Sequence, residues 1–126
     1  MSVAEKLVER RKHNRFSVSK GAFVALRPHY GKIGQVVNIS MGGLAFTYMA
    51  DEERPSRSFE LDIFLAGGSF YLQEVPFGTI SDFHNDGMPL SSVKMRRMGV
   101  QFGDLSPHQV SQLEYFIQNH TEGEEI

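Results

Sequence analysis

Short apolar runs with alternating polar positions dominate the chain from residue 22 onward. These runs are rich in Val, Ile and Phe and are separated by Gly, Pro, Asn and Asp, which is typical of antiparallel strands. Between Phe59 and Leu65 the odd-numbered side chains are apolar and predict a buried face, whereas Asp62 is predicted to face outward. Strands are predicted over 22–27, 34–39, 44–49, 58–65, 69–81 with a break near Pro76, and 93–102. Six such strands with one apolar face favour a closed antiparallel β-barrel.

The end of the chain carries the pattern of a helix over 106–119. Ser106 is predicted to cap the helix, Pro107 suits its first position, and Gln109 completes a capping box. Apolar residues then recur at helical spacing at Val110, Leu113, Phe116 and Ile117. We expect this stripe to pack on the barrel or to form a subunit interface.

Length and composition favour one domain. The chain has 126 residues, of which 40% are hydrophobic. We divide it into a basic N-terminal arm over 1–20, a barrel over 21–104, a helix over 105–120 and an acidic tail over 121–126. The absence of cysteine excludes disulfides and Cys-based zinc sites. No apolar run follows Met1, so neither a signal peptide nor a membrane span is expected, and we expect a cytoplasmic protein.

Charge is uneven along the chain. The net charge is −2, which argues against broad binding of DNA or RNA. Residues 10–20 nevertheless contain five Arg and Lys and no acid, within an arm whose first part, 3–12, is rich in helix-forming residues. A local basic segment suits a small anionic ligand, but it is also typical of a charged arm that is simply exposed to solvent.

Neither catalysis nor metal binding has a candidate constellation. The five histidines are scattered without the i, i+3 or i+4 partners of a helical metal site. The carboxylates of Asp51, Glu52 and Glu53 lie beside Arg54 and Pro55 and are interpreted as solvated turn residues. We therefore expect no enzymatic activity, no metal and no cofactor.

Two short motifs remain. Arg11 and Arg15 form Arg-x-x-x-Arg in the basic arm, and Asn38, Ser40 and Gly43 form Asn-x-Ser-x-x-Gly where one predicted strand ends and the next begins. In this order and separation the motifs resemble the signature of PilZ domains, and the similarity extends over about residues 10–120. The resemblance implies a six-stranded PilZ-like barrel of the split-barrel type, with a flexible N-terminal arm and a C-terminal helix. It also implies binding of the bacterial second messenger cyclic di-GMP.

The second motif suits guanine. Asn38 and Ser40 are two residues apart on a strand, so we predict that both face outward while Val37 and Ile39 point into the barrel. An amide oxygen and a hydroxyl are suitable acceptors for the N–H donors of guanine. Gly42 and Gly43 permit a tight turn and the close approach of a base. The same residues are also compatible with a simple strand end and turn, with Gly43 at positive φ.

The arginines suit a dinucleotide. A guanidinium group can bind the O6/N7 edge of guanine, stack on its face or pair with phosphate, and Arg11 and Arg15 are four residues apart. In PilZ domains the position before the first motif arginine is associated with the number of bound ligands, and Arg10 is compatible with a stacked ligand pair. Arg96 and Arg97 are interpreted as exposed edge-strand residues, with a place at the border of the pocket as the alternative.

The resemblance implies a non-enzymatic receptor. We expect the arm over 9–19 to be loosely held until Arg11 and Arg15 bind the ligand. The signal would then pass to an unidentified effector protein that controls motility, adhesion and biofilm formation, or exopolysaccharide secretion. Monomer and homodimer are both compatible with the sequence. One alternative is a PilZ-like adaptor that no longer binds ligand, and another is a small nucleic-acid-binding barrel that uses the basic arm.

Overall fold

The computed structural model describes residues 13–18, 21–27, 32–49, 58–84 and 95–125. Within these ranges it contains eight strands and one helix: β1 (Phe16–Ser17), β2 (Ala22–Arg27), β3 (Ile33–Ile39), β4 (Gly43–Met49), β5 (Glu60–Leu65), β6 (Tyr71–His84), β7 (Met95–Phe102), α1 (Pro107–Asn119) and β8 (Gly123–Glu124). The predicted helical part of the arm over 3–12, with Arg10 and Arg11, lies outside the described residues.

Six of the strands close a barrel. They follow the antiparallel order β2, β5, β6, β7, β4, β3, and β3 pairs again with β2 to complete the ring. The first half of β3 pairs with β2, whereas its second half pairs with β1 through Asn38 and Ser17. The predicted mainly-β fold, a six-stranded antiparallel barrel followed by a C-terminal helix, is confirmed.

The barrel interior is filled by the alternating apolar side chains. Leu61 and Ile63 of β5 and Met98 and Val100 of β7 are buried in one hydrophobic core. The prediction that Phe59 lies on the buried face was wrong, because this residue is 67% exposed. Phe59 precedes the first residue of β5, so the pleat of that strand does not direct it inward.

A β-bulge shifts the alternation in β3. The pairing with β4 skips one residue between Val36 and Asn38, which leaves Val37 as the extra residue. Val36 and Ile39 are both in the core, whereas Val37 is only half-buried. The prediction that Val37 points into the barrel was therefore wrong, because strict alternation fails at a bulge.

Strand β6 is irregular but continuous through Pro76. Two of its residues, Gln73 and Glu74, lie opposite the single residue Asp62 of β5. Glu74 has φ 57°, in the left-handed region that non-glycine residues rarely occupy. The break predicted near Pro76 is thus a bulge within one strand, not an interruption between two strands.

A carboxylate is buried beside this bulge. Asp62 accepts two hydrogen bonds from the Arg27 guanidinium, at 2.7 and 3.1 Å, one from the Tyr71 hydroxyl and one from the Glu74 backbone at 2.9 Å. Its side chain has no exposed area, so the prediction of a solvent-facing Asp62 was wrong. Burial alone would raise the pKa of Asp62, but the hydrogen bonds from Arg27, Tyr71 and Glu74 outweigh burial and hold this pKa below its ordinary value.

Helix α1 begins as the sequence predicts. The Ser106 side chain accepts a hydrogen bond from the Gln109 backbone, and the Gln109 side chain accepts one from the Ser106 backbone. Leu113 and Phe116 are buried against the barrel, and the Phe116 ring lies 5.1 Å from that of Phe70. Among the residues that the structure describes, no helix combines the length and apolar character that crossing a bilayer requires.

The two ends of the described chain pair with each other. Strand β1 lies between β3 and β8, and Phe16 is opposite Ile39 on one side and Glu124 on the other. Phe16 and Ser17 of the arm, which was expected to be loosely held, pair with the barrel through β3. Strands of two residues are too short to produce an alternating pattern, so neither β1 nor β8 could be predicted from the sequence.

Candidate functional site

A cleft of about 720 Å³ lies on the outer face of the barrel. The arm borders it on one side, the β3–β4 turn lies at its base, and β6 and β7 form the other wall. We call it the motif cleft because five of the seven predicted site residues line it: Arg15, Asn38, Ser40, Gly42 and Gly43. The other two, Arg10 and Arg11, lie outside the described residues.

Ser40 holds the β3–β4 turn in place. Its hydroxyl oxygen accepts hydrogen bonds from the backbone N–H groups of Gly42 at 3.1 Å and Gly43 at 3.2 Å. The Ser40 backbone N–H donates to the Gly43 carbonyl at 2.8 Å, and the hydroxyl lies 3.3 Å from the same carbonyl oxygen. Ser40 lines this cleft on the outer face of the barrel, although the residue is only 7% exposed. Because these bonds occupy the hydroxyl, Ser40 contributes to the cleft mainly through the shape of the turn.

The two glycines of the turn allow close packing within the protein. A Cβ atom on Gly43 would lie 2.1 Å from the Val100 carbonyl oxygen, so β4 and β7 approach too closely there for any side chain. A Cβ atom on Gly42 would lie 2.5 Å from Cδ2 of His13. Positive φ, considered for Gly43, is not found at this residue. These close approaches are made by the chain itself, through a backbone carbonyl and an arm side chain.

Asn38 lies at the junction of the arm, the barrel and the cleft. It is opposite Ser17 of β1, and its side chain lines the cleft although the residue is only 3% exposed. This position agrees with the predicted outward orientation, and the low exposure arises because β1 covers this part of β3. The amide nitrogen Nδ2 donates to Oε2 of Glu125 at 3.4 Å. No other described group is hydrogen-bonded to the Asn38 side chain.

Two arginines give the motif cleft its positive charge. Arg15 enters from the arm and Arg97 from β7. Among the described residues neither guanidinium group has an ion-pair partner, and the described lining contains no Asp or Glu. Unneutralised guanidinium groups in a concave site favour an anionic ligand with planar acceptor groups.

The position of Arg97 corrects the edge-strand interpretation. Strand β7 lies between β6 and β4, so it has no free edge along the barrel. Arg96 and Arg97 point in opposite directions, since Arg96 pairs with Asp82 at 2.9 Å whereas Arg97 lines the cleft. Alternation with the buried Met98 would have predicted an outward Arg97, but its place beside the Asn38 turn depends on a strand order that one sequence does not reveal.

Apolar and aromatic side chains complete the cleft. Phe83 of β6 is directly opposite Arg97 and is about half exposed, and Ile80 of the same strand is also exposed. His13 lies on the other side, against Gly42. An exposed ring beside a guanidinium group provides a surface on which a nucleobase can stack. Within the described part of the chain, no three His, Asp or Glu side chains are placed to hold a metal ion.

A search of solved structures finds the same fold in YcgR from Escherichia coli. The PilZ domain of YcgR with c-di-GMP superimposes with a TM-score of 0.63 at 17% sequence identity, over 88% of this chain and 91% of that chain. The crystal structure of YcgR in complex with c-di-GMP gives a TM-score of 0.62 at 18% identity, over 86% of this chain and 45% of the YcgR chain. No family model and no curated protein matches the sequence. The chain therefore has a PilZ-like fold.

Proposed function

We propose that this protein is a receptor that binds cyclic di-GMP in the motif cleft without changing the ligand chemically. The observation that carries the proposal is that the cleft brings Arg15 beside the Asn38–Gly43 turn, so residues of both sequence motifs face one space. Its volume of about 720 Å³ falls within the range of about 300–1,000 Å³ that is usual for ligand sites. The fold shared with c-di-GMP complexes of YcgR supports the same ligand.

The chemistry of the cleft suits both parts of this ligand. Cyclic di-GMP carries two phosphates and two guanines, and Arg15 and Arg97 offer guanidinium groups for either. The Asn38 amide oxygen is an acceptor for guanine N–H groups, and the exposed Phe83 ring is a stacking surface. We assign Arg11 a role beside Arg15 from the Arg-x-x-x-Arg motif alone.

Isothermal titration calorimetry with cyclic di-GMP tests the proposal, and the chain offers a matched pair of variants. Arg97→Ala removes a guanidinium group from the cleft, whereas Arg96→Ala removes one from the neighbouring residue, which is paired with Asp82. A charge-assisted hydrogen bond contributes about 1.5–3 kcal/mol, so we expect Arg97→Ala, Arg15→Ala and Arg11→Ala each to weaken binding about 10- to 150-fold. Arg96→Ala should leave the affinity within about twofold.

Two results would overturn the proposal. One is a wild-type protein that releases no heat with cyclic di-GMP and shows no rise in melting temperature when the ligand is added. The other is wild-type binding that Arg15→Ala and Arg97→Ala leave unchanged, which would place the ligand outside the motif cleft. Circular dichroism of each variant distinguishes a lost contact from a lost fold.

We further propose that the bound state signals in the cytoplasm to a separate effector protein that controls motility, adhesion and biofilm formation, or exopolysaccharide secretion. The resemblance to stand-alone PilZ proteins is the basis for this part. Arg10 is compatible with two stacked ligands, and the stoichiometry of the same titration, with and without Arg10→Ala, separates one bound ligand from two. Affinity capture with and without cyclic di-GMP would identify a partner whose binding depends on the ligand.

A further inference from the structure

The segment that follows α1 folds back along the arm. The backbone N–H of Glu122 donates to the Ser17 carbonyl at 2.9 Å, and that of Glu125 donates to the Arg15 carbonyl at 2.8 Å. Strand β8 thereby adds to β1, which itself lies against the second half of β3. The last described residues of the chain are thus held beside the Asn-x-Ser-x-x-Gly motif, although Glu125 and Asn38 are 87 positions apart in sequence.

This docking places the Glu125 carboxylate on Asn38. One carboxylate oxygen lies 3.4 Å from Asn38 Nδ2, and the other lies 3.3 Å from the Ser17 hydroxyl. An ionised carboxylate only accepts hydrogen bonds, and an asparagine amide can donate only through its nitrogen. Contact with Glu125 therefore fixes which end of the amide faces the tail and leaves Oδ1 as the end available to the cleft.

The orientation matters because the two ends of an amide have almost the same shape. Asn38 is only 3% exposed, and Glu125 is the only described residue hydrogen-bonded to its side chain. With Oδ1 toward the ligand, the amide accepts from guanine, which presents N–H donors on its Watson–Crick edge. With Nδ2 toward the ligand, the amide would place its own N–H donors against the N–H donors of guanine. The direction of this amide thus decides whether Asn38 itself can accept a hydrogen bond from guanine.

We propose that Glu125 is a positioning residue that makes the site selective for guanine by orienting the Asn38 amide. This inference rests on the proposed binding of cyclic di-GMP. It gives residues 121–125 a role in ligand recognition, where the sequence indicated only an acidic tail.

A charge reversal at Glu125 tests the inference, because the orienting effect and the electrostatic effect have opposite signs. Glu125→Lys places a donor against the amide, so Asn38 should rotate to offer its oxygen to the tail and its nitrogen to the cleft. Coulomb attraction alone predicts that the added positive charge strengthens binding of an anionic ligand. We expect instead that Glu125→Lys weakens cyclic di-GMP binding at least tenfold and lowers its preference over cyclic di-AMP by a similar factor.

Two variants serve as controls. Glu125→Gln keeps an acceptor oxygen against Asn38, so its affinity should stay within about threefold of wild type. Glu124→Lys makes the same change of charge at the preceding residue, which is exposed, and should not weaken binding. In the ligand-free protein, the side-chain NH₂ signals of Asn38 in NMR spectra should move in Glu125→Lys and stay in place in Glu124→Lys.

The possible outcomes separate this inference from the proposed function. Wild-type binding combined with unchanged affinity and selectivity in Glu125→Lys overturns the role of Glu125 alone. Failure of the wild type to bind cyclic di-GMP overturns both. A loss in Glu125→Gln as large as in Glu125→Lys would show that the carboxylate charge acts directly, and would also refute the orienting role. If Glu125→Lys does not fold, Glu125→Ala replaces it, with an expected loss of about fivefold in affinity and in selectivity over cyclic di-AMP.

Discussion

Within the Asn-x-Ser-x-x-Gly motif, Ser40 and the glycines act mainly by shaping the turn. Ser40 bonds to the backbone of the turn, and Gly43 lets β4 approach the Val100 carbonyl. Gly42 is different, because its missing side chain leaves room for the movable ring of His13. A side chain at position 43 would therefore require the barrel backbone to move, whereas one at position 42 would require only the His13 ring to move.

Alanine substitutions at the two glycines should separate these requirements. Gly43→Ala forces a Cβ atom against a backbone carbonyl that cannot move without opening the β4–β7 pairing, so we expect a loss of about 1–3 kcal/mol in the free energy of unfolding. Gly42→Ala should cost less than about 1 kcal/mol, because the His13 side chain can rotate away. Urea denaturation measures both values. Equal losses at the two positions would show that His13 is held as firmly as the barrel backbone.

The candidate site residues that the sequence could predict belong to two local motifs, Arg-x-x-x-Arg with Arg15 and Asn-x-Ser-x-x-Gly. Asn38, Ser40 and Gly43 stand together in the second motif, and their chemistry was read from residue type and spacing. Arg97 reaches the cleft only through the pairing of β7 with β4, and Glu125 reaches Asn38 only through the pairing of β8 with β1. Alternation with the buried Met98 could separate an outward Arg97 from Arg96, but only the strand order places Arg97 beside the Asn38 turn.

Among the elements, the start of α1 is joined to the bulge of β6. The Gln109 side chain accepts from the Ser106 backbone and also donates to the carbonyl groups of Gln73 at 3.1 Å and Glu74 at 3.0 Å. These two carbonyls belong to the bulge, where regular pairing with β5 is interrupted. One side chain thus completes the helix cap and also hydrogen-bonds the two carbonyl groups of the bulge.

We expect Gln109→Ala to destabilise the protein more than the loss of the cap alone. Ser106→Ala removes the capping hydroxyl and should cost about 1 kcal/mol. Gln109→Ala removes three hydrogen bonds, each contributing roughly 0.5–1.5 kcal/mol, so we expect a loss of about 1.5–4.5 kcal/mol. Gln118→Ala, on the exposed part of the same helix, is the matched control and should change little. If Gln109→Ala costs no more than Ser106→Ala, the bonds to the bulge contribute nothing to stability.

The sequence predicted whole elements better than their irregularities. Each of the six barrel strands overlaps a predicted strand, because alternation over five or more residues is a strong signal. The bulge at Val37 was not foreseen, and the bulge at Gln73–Glu74 was predicted only as a break near Pro76, since an extra residue looks the same in sequence as a regular one. Strands β1 and β8 were missed because pairing alone, without any hydrophobic pattern, holds them in place.

At the scale of the whole molecule, closure of the barrel depends on strands that are far apart in sequence. Arg27 of β2, Asp62 of β5 and the Glu74 backbone of β6 meet in one hydrogen-bonded cluster across three neighbouring strands. Asp62 is completely buried, so its negative charge is stable only while these donors surround it. The cluster therefore links the charge of one carboxylate to the integrity of this side of the barrel.

This link predicts how stability depends on pH. Because the folded state holds the pKa of Asp62 below its ordinary value, the ionised carboxylate stabilises the protein above about pH 4, and this contribution is lost as the pH falls through the lowered pKa. We expect Asp62→Asn to lower the free energy of unfolding by about 1–3 kcal/mol at pH 7 and by clearly less at pH 3. The exposed Asp104→Asn should cost less than about 0.5 kcal/mol at pH 7. Urea denaturation at the two pH values gives the comparison. A difference between wild type and Asp62→Asn that is as large at pH 3 as at pH 7 would show that Asp62 acts through shape and hydrogen bonding, not through its charge.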